Sequence, residues 1–155
     1  MAVQTTYTAS PIAGIPGMLY DMMPSVDILS STWGNATGCD IGDFATYLAA
    51  ETVELPDAAA DVTANGRGFV IYQPHRVAAQ IARYEQVSLL RRGRIWLFCV
   101  DLIAANAPIY VRRDGTNNGK LYAGSTGASL LPGIKCLVGA GAGGTGLFEV
   151  DLTQT

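Results

Sequence analysis

The sequence of 155 residues contains a single histidine, His75, and no HExxH, P-loop lysine or GxSxG pattern. A two-histidine metal site or a histidine-based hydrolase relay therefore has almost no residues from which to be built. Three cysteines occur, Cys39, Cys99 and Cys136, an odd number without a CxxC pair. The sequence predicts buried free thiols, no catalytic residue, no metal site and no cofactor.

Long apolar runs are also missing from the chain. Every uninterrupted apolar stretch falls far short of the roughly 20 residues that a membrane-spanning helix needs. The first 20 residues contain no Lys or Arg, so the basic start of a secretory leader is missing as well. These absences predict no membrane partner and synthesis in a cytoplasm.

Charge is scarce and unevenly distributed. Charged residues make up 15% of the chain and hydrophobic residues 49%, a composition that favours one folded domain over disorder. Residues 1–66 hold eight acids and no base, whereas residues 67–155 hold all ten bases and five acids. The two halves can neutralise each other within one fold or between molecules. A pI near 4.9 argues against nucleic acid as a partner.

Half of the basic residues are arginines in two short stretches: Arg91, Arg92, Arg94, Arg112 and Arg113. Arginine is favoured at protein interfaces because its planar fork binds a carboxylate through two hydrogen bonds. We therefore interpret these five residues as candidates for contacts between protein subunits.

Strand patterns dominate the second half of the chain. Residues 69–72 form a short apolar run that ends at Gln73 and Pro74. Residues 87–90 and 94–101 are predicted to form a hairpin with its turn at Arg91, Arg92 and Gly93. Two more hairpins are predicted, one joining residues 109–112 to 121–122 and one joining residues 134–138 to 147–152. The spacing of the turns favours an all-β fold, mainly an antiparallel β-barrel or sandwich.

Helices are predicted to be few and short. Residues 43–51 are a candidate helix capped by Asp43, and residues 75–84 have apolar residues at helical spacing. Residues 1–24 show no sustained periodicity, and we interpret them as an extended arm lying over the domain or over a neighbour. Residues 25–155 are predicted to form a single β-rich domain.

The chain contains one formal match to a nucleotide-binding sequence motif. Residues 141–146 read GAGGTG and satisfy GxGxxG after a predicted strand. The mechanism of that motif requires a helix directly after the glycines and an acid about 20 residues later. The remaining residues, LFEVDLTQT, alternate as a strand does. A hairpin turn is the favoured interpretation, and a small nucleotide-binding protein is the alternative.

Several blocks occur in an order that resembles the structural cement, or capsid decoration, proteins of tailed bacteriophages. The chain starts with MAVQTTY and continues with GIPG at residues 14–17 and Asp21. The middle contains LLRRGRIW at residues 89–96 and APIYVR at residues 107–112, and LPG at residues 131–133 precedes the last strand. Residues 25–65 depart from the family pattern.

The resemblance implies a non-enzymatic virion component made in the cytoplasm of a bacterial host. Such a protein binds the outer surface of the capsid, commonly as a homotrimer, and stabilises the shell. The implied partners are the major capsid protein and further copies of the chain. Candidate contact residues lie in the arm, in the basic stretches and on the predicted strand of residues 94–101, which is apolar on both faces: Gln4, Thr5, Tyr7, Arg91, Arg92, Arg94, Trp96, Arg112 and Arg113.

An adhesin displayed on the virion is an alternative function, because it would share the same fold class and composition. Adhesins commonly bind through exposed aromatic side chains, and Tyr20, Trp33 and Tyr47 are the candidates in this sequence.

Overall fold

The computed structural model describes residues 14–20, 26–73 and 80–153. Within these ranges the chain forms twelve β-strands and one short α-helix. In chain order they are β1 (Asp27–Trp33), β2 (Cys39–Asp40), β3 (Phe44–Ala49), β4 (Thr52–Glu54), α1 (Ala59–Thr63), β5 (Gly66–Val70), β6 (Gln80–Ile81), β7 (Gln86–Cys99), β8 (Tyr110–Arg112), β9 (Leu121–Tyr122), β10 (Ala128–Leu130), β11 (Ile134–Val138) and β12 (Gly144–Asp151). No helix in the described part is long and apolar enough to cross a membrane.

Five strands close into a barrel. β1 pairs with β4, β4 with β3, β3 with β5, β5 with β7, and β7 pairs again with β1. All of these pairings are antiparallel except that of β1 with β4. Closure leaves these strands without the free edges of an open sheet. The predicted all-β class is confirmed, as a barrel with additional strands outside it.

Side chains that alternate along the barrel strands fill its interior. The buried cluster comprises Trp33, Cys39, Ala45, Val53, Val70, Ile81, Val87 and Leu89. Trp33 has no exposed surface, and its ring nitrogen donates a hydrogen bond to the backbone oxygen of Thr37 at 2.9 Å. The indole therefore fills the core without leaving a buried donor unpaired.

Strand β7 is shared between the barrel and a second layer of strands. Its first half pairs with β1, and its second half pairs with β12, which in turn pairs with β11. Leu89 belongs to the barrel interior, whereas Leu90 belongs to a second cluster with the edge-to-face pair of Phe44 and Phe69. Both faces of β7 are therefore buried, which explains why its sequence is apolar on both faces.

The hairpin predicted at Arg91, Arg92 and Gly93 is wrong, because β7 continues through these residues without a turn. Arg92 is paired with Asp27 of β1 and with Asp151 of β12, so the chain has strand partners before and after this point. Gly93 has a φ of +142°, and it bends the strand where its partner changes from β1 to β12. The glycine signals a kink within a strand rather than the end of one.

The helix predicted at residues 43–51 is also wrong. Phe44, Ala45 and Thr46 are fully buried in β3, between β4 and β5, and only an extended chain can pair on both edges. Of the helix predicted at residues 75–84, residues 75–79, including His75, lie outside the described residues. Gln80–Ile81 is a strand paired with β2. The helix that does form, α1, has Ala58 N donating to the Asp61 carboxylate at 2.8 Å.

The other strand predictions are confirmed. β8 and β9 pair around the loop of residues 113–120, and β11 and β12 pair around a glycine-rich loop. The strand predicted at residues 69–72 is β5, which begins earlier at Gly66 and ends at Val70. All three cysteines are buried free thiols, as predicted.

Replacing Gly93 with Ala is expected to lower the free energy of unfolding by about 1–3 kcal/mol. A Cβ would be strained at a φ of +142° and would lie 3.2 Å from Leu90 Cδ1. Gly124→Ala is the matched control, because a Cβ there meets nothing within 4 Å. Urea unfolding measures both variants, and equal losses would mean that the kink at Gly93 is not required.

Candidate interaction surface

Three of the predicted contact residues lie together on β7, at the point where its partner changes from β1 to β12. Each forms an ion pair with a carboxylate on a neighbouring strand: Arg91 with Asp27 at 3.6 Å, Arg92 with Asp151 at 3.6 Å, and Arg94 with Glu149 at 3.1 Å. The arginine side chains are 32–48% exposed, so each pair contributes about 0–1 kcal/mol to folding. These three residues are termed the arginine stripe.

Trp96 lies beneath a segment of its own chain, residues 14–20, which is termed the strap. Trp96 N donates to Met18 O at 2.9 Å, and Gly17 N donates to Trp96 O at 2.7 Å. The indole packs against Gly14, where a Cβ would overlap the ring, and Tyr20 meets it edge-on with ring centroids 6.3 Å apart. Trp96 is only 2% exposed, so within the single chain it holds the strap and offers little surface of its own.

The strap presents three exposed apolar side chains, of which only Tyr20 was a candidate from the sequence. Ile15 is 55% exposed, Tyr20 46% and Met18 37%. The backbone of Tyr20 donates to Arg94 O at 2.9 Å, so the strap directly borders the arginine stripe. The exposed apolar side chains of the strap therefore belong to a segment that is adjacent to the basic residues of β7. Gln4, Thr5 and Tyr7 lie outside the described residues.

Arg112 and Arg113 belong to a different part of the molecule. Arg112 donates to Asp114 O at 2.9 Å, pairs with the Asp114 carboxylate at 3.2 Å and stacks on Tyr122. Arg113 Nε is buried without a hydrogen-bond partner among the described residues. The register through β9 places both near the C-terminal end of β7, roughly 20 Å along the strand from Arg92. The structure does not bring them to the arginine stripe.

A partly buried ion cluster joins the acidic half of the sequence to the basic half. Lys120 Nζ lies 2.6 Å from Asp43 Oδ1 and 2.9 Å from Asp40 Oδ2. Burial raises the pKa of Asp43 to about 6, against the opposing attraction of Lys120. Burial alone would lower the pKa of Lys120, but its contacts with Asp43 and Asp40 raise it. The cluster fixes the loop of residues 113–120 on the barrel, and the sequence could not reveal it because the lysine is 77 and 80 positions from the two acids.

Other acids of the first half remain on the surface. Glu54, Asp57 and Asp61 lie near one another, and no described Lys or Arg is within 4 Å of them. Burial first, and then the charges of Asp57 and Asp61, raise the pKa of Glu54. The two halves of the chain therefore neutralise each other only in part. No group of three or more His, Cys, Asp or Glu among the described residues could hold a metal ion.

The structure also places the residues behind the two alternative functions. β12 begins at Gly144, so a strand occupies the position at which a nucleotide-binding motif requires a helix. Of the aromatic residues considered for an adhesin, Trp33 has no exposed surface, whereas Tyr20 and Tyr47 are 46% and 41% exposed.

The closed barrel and its second strand layer define an all-β barrel protein. A search of curated proteins finds no match. Six chains of solved structures are similar, among them one from "The capsid of Myoviridae Phage XM1" with a TM-score of 0.73 and 15% sequence identity. That similarity covers 97% of this chain and 98% of the other, and it shows a shared fold.

The family model described as structural cement protein (E217 gp24/Pam3 gp6) matches residues 3–153, and the chain belongs to this family. The resemblance found in the sequence is confirmed. The protein is a structural component of a phage capsid, and its location is the virion.

The buried carboxyl of Asp43 predicts a pH dependence of stability. Its pKa is about 6 in the folded chain and 3.8 ordinarily, so the folded state binds the proton more tightly. The contribution of Asp43 to stability is full below about pH 3.8 and is lost as the pH rises through about 6. The unfolding free energy of the wild type minus that of Asp43→Asn should therefore fall between about pH 4 and pH 8, measured by urea unfolding. A difference that rises with pH would mean that the attraction of Lys120 outweighs burial.

Lys120→Met provides the companion variant. It leaves Asp43 buried without its cation, which should cost about 3 kcal/mol near pH 8. Because Lys120 lowers the pKa of Asp43, its removal should also extend the loss of stability to higher pH. Lys135→Met, on an exposed residue of β11, removes the same charge without this effect.

Proposed function

We propose that this protein is a cement that binds the outer surface of the assembled phage capsid as a homotrimer and stabilises the shell without catalysing a reaction. Its partners are the major capsid protein and other copies of itself, and it reaches the exterior of the virion after synthesis in the bacterial host cytoplasm. The observation that carries the proposal is the family match over residues 3–153. The similarity to a chain of the phage XM1 capsid supports the same role.

The construction of the fold suits such a role. A closed barrel with β7 buried on both faces presents a rigid body, so that little free energy is lost to ordering it on binding. The strap and the arginine stripe together offer a surface with exposed apolar side chains and basic groups. Contacts of this kind can be individually weak, because an icosahedral shell repeats them many times.

The direct test mixes the purified protein with expanded shells that lack it. Co-sedimentation should approach a fixed ratio to the major capsid protein, and a particle reconstruction should show the barrel on the outer surface around local three-fold axes. Density confined to the shell interior, or no binding at saturating protein, would overturn the proposal.

Deleting residues 1–10 is expected to weaken shell binding by about tenfold while changing the melting temperature little. The reason is that residues 14–20, which cover Trp96, are retained, whereas the predicted contacts Gln4, Thr5 and Tyr7 are lost. Calorimetry measures the melting temperature, and co-sedimentation measures binding. Equal losses in both would contradict an intermolecular arm.

Replacing Arg91, Arg92 and Arg94 together by Gln is expected to slow association with shells by about tenfold at low salt and to weaken its salt dependence. Folding should lose little, since the broken ion pairs are exposed. The control replaces Arg83 and Lys135 by Gln, which removes exposed charges elsewhere. If both variants associate alike, the arginine stripe is not a contact surface.

A further inference from the structure

The barrel interior opens at one end into a cavity of about 210 Å³, termed the mouth cavity. Leu29 and Ser31 of β1, Tyr47 of β3 and Val53 of β4 line it. Trp33 and Tyr47 are both cross-strand partners of Val53, so these side chains lie on the interior face of their strands. Barrel mouths are frequent ligand positions, because rigid walls enclose a guest on several sides.

Ser31 places a hydroxyl where the barrel otherwise has apolar side chains. It is 8% exposed, and its cross-strand partner Val87 belongs to the buried interior cluster. The described residues give its hydroxyl no hydrogen-bond partner, although Ser31 lines the mouth cavity. Because the residue lines the mouth cavity, a polar guest there can form a hydrogen bond with this hydroxyl.

Arg67 of β5 brings a positive charge to the same cavity. Its guanidinium carbon lies 4.7 Å above the centre of the Tyr47 ring. Stacking covers the flat face of the guanidinium and leaves its in-plane N–H donors free. No carboxylate among the described residues lies within 4 Å of Arg67, in contrast to the arginine stripe, where every member has one.

We propose that the mouth cavity is a carboxylate-binding site, with Arg67 bound to the two oxygens and Ser31 donating a hydrogen bond to one of them. A planar fork of unused donors beside an unpaired hydroxyl matches a carboxylate better than it matches a neutral group or a bulky anion. The volume admits a small acid or the end of an Asp or Glu side chain. Glu51, also on the lining, opposes the guest and limits its affinity.

The first experiment titrates acetate into the ¹⁵N-labelled protein at constant ionic strength, with acetamide as the neutral analogue. Amide signals of residues 30–31, 47, 51 and 67 should shift and saturate at about millimolar acetate, and acetamide should leave them unchanged. No saturable shift, or equal shifts with both compounds, would overturn the proposal.

The variants identify the groups responsible. Arg67→Met should weaken acetate binding by about tenfold or more, Ser31→Ala by about threefold, and Glu51→Gln should strengthen it by about threefold. Arg83→Met is the matched control, because Arg83 stacks on Tyr84 at the same 4.7 Å but does not line the mouth cavity, and acetate should bind it as the wild type. If Arg67→Met does not fold, the proposal is tested by the opposite effects of Ser31→Ala and Glu51→Gln on acetate affinity. Unchanged acetate affinity in both variants would overturn the proposed site.

A separate experiment, which rests on the proposed function, tests where the carboxylate comes from. If a neighbouring coat chain supplies the carboxylate, Arg67→Met should bind shells more weakly than Arg83→Met does. Acetate should then also compete with the binding of the wild type to shells. A free small acid leaves shell binding of the two variants equal. Failure of the wild type to bind shells would refute the cement role, whereas the acetate titration would still decide whether the mouth cavity binds a carboxylate.

Discussion

Hydrogen bonding along both edges of β7 is the constraint on which the rest of the molecule depends. One edge pairs first with β1 and then with β12, while β5 and the strap occupy the opposite edge at residues 89–90 and 94–96. With both edges occupied, the barrel closes at one half of the strand and the second layer attaches at the other. The same arrangement buries Trp96, because the strap must cross its indole to reach the backbone of Arg94.

The sequence predicted the all-β class and the local hairpins correctly, but it did not predict the course of β7 and β3. Alternation and turn residues located the hairpins of β8 with β9 and of β11 with β12, because each of these pairs joins strands that are consecutive in the sequence. The prediction failed at Gly93, where the glycine marks a kink within a strand and not a turn. It also failed in β3, where Asp43 before an apolar stretch resembles a helix N-cap. Both errors have one cause: pairing with strands distant in sequence overrides the local preference.

The predicted contact residues show the same division. Clustering in sequence correctly brought Arg91, Arg92 and Arg94 together, since they share one strand. It could not show that Arg112 and Arg113 lie at the far end of that strand, nor that Trp96 is covered. Ile15 and Met18 were missed because exposure of an apolar side chain depends on which face of the strap meets β7, and a seven-residue segment with two glycines has no period from which to infer it.

Paired and unpaired arginines in this molecule have different physical consequences. In the arginine stripe each guanidinium already has a carboxylate of a neighbouring strand as its partner, so the stripe can steer a partner, but each new ion pair there competes with an existing one. Arg67 is held by stacking instead, which restrains the side chain without using its charge. Restraint without neutralisation is what a recognition site needs, because the cost of ordering the side chain is met by folding and its donors remain for a guest. The stripe therefore suits a broad contact that repetition strengthens, and Arg67 suits recognition of a single group.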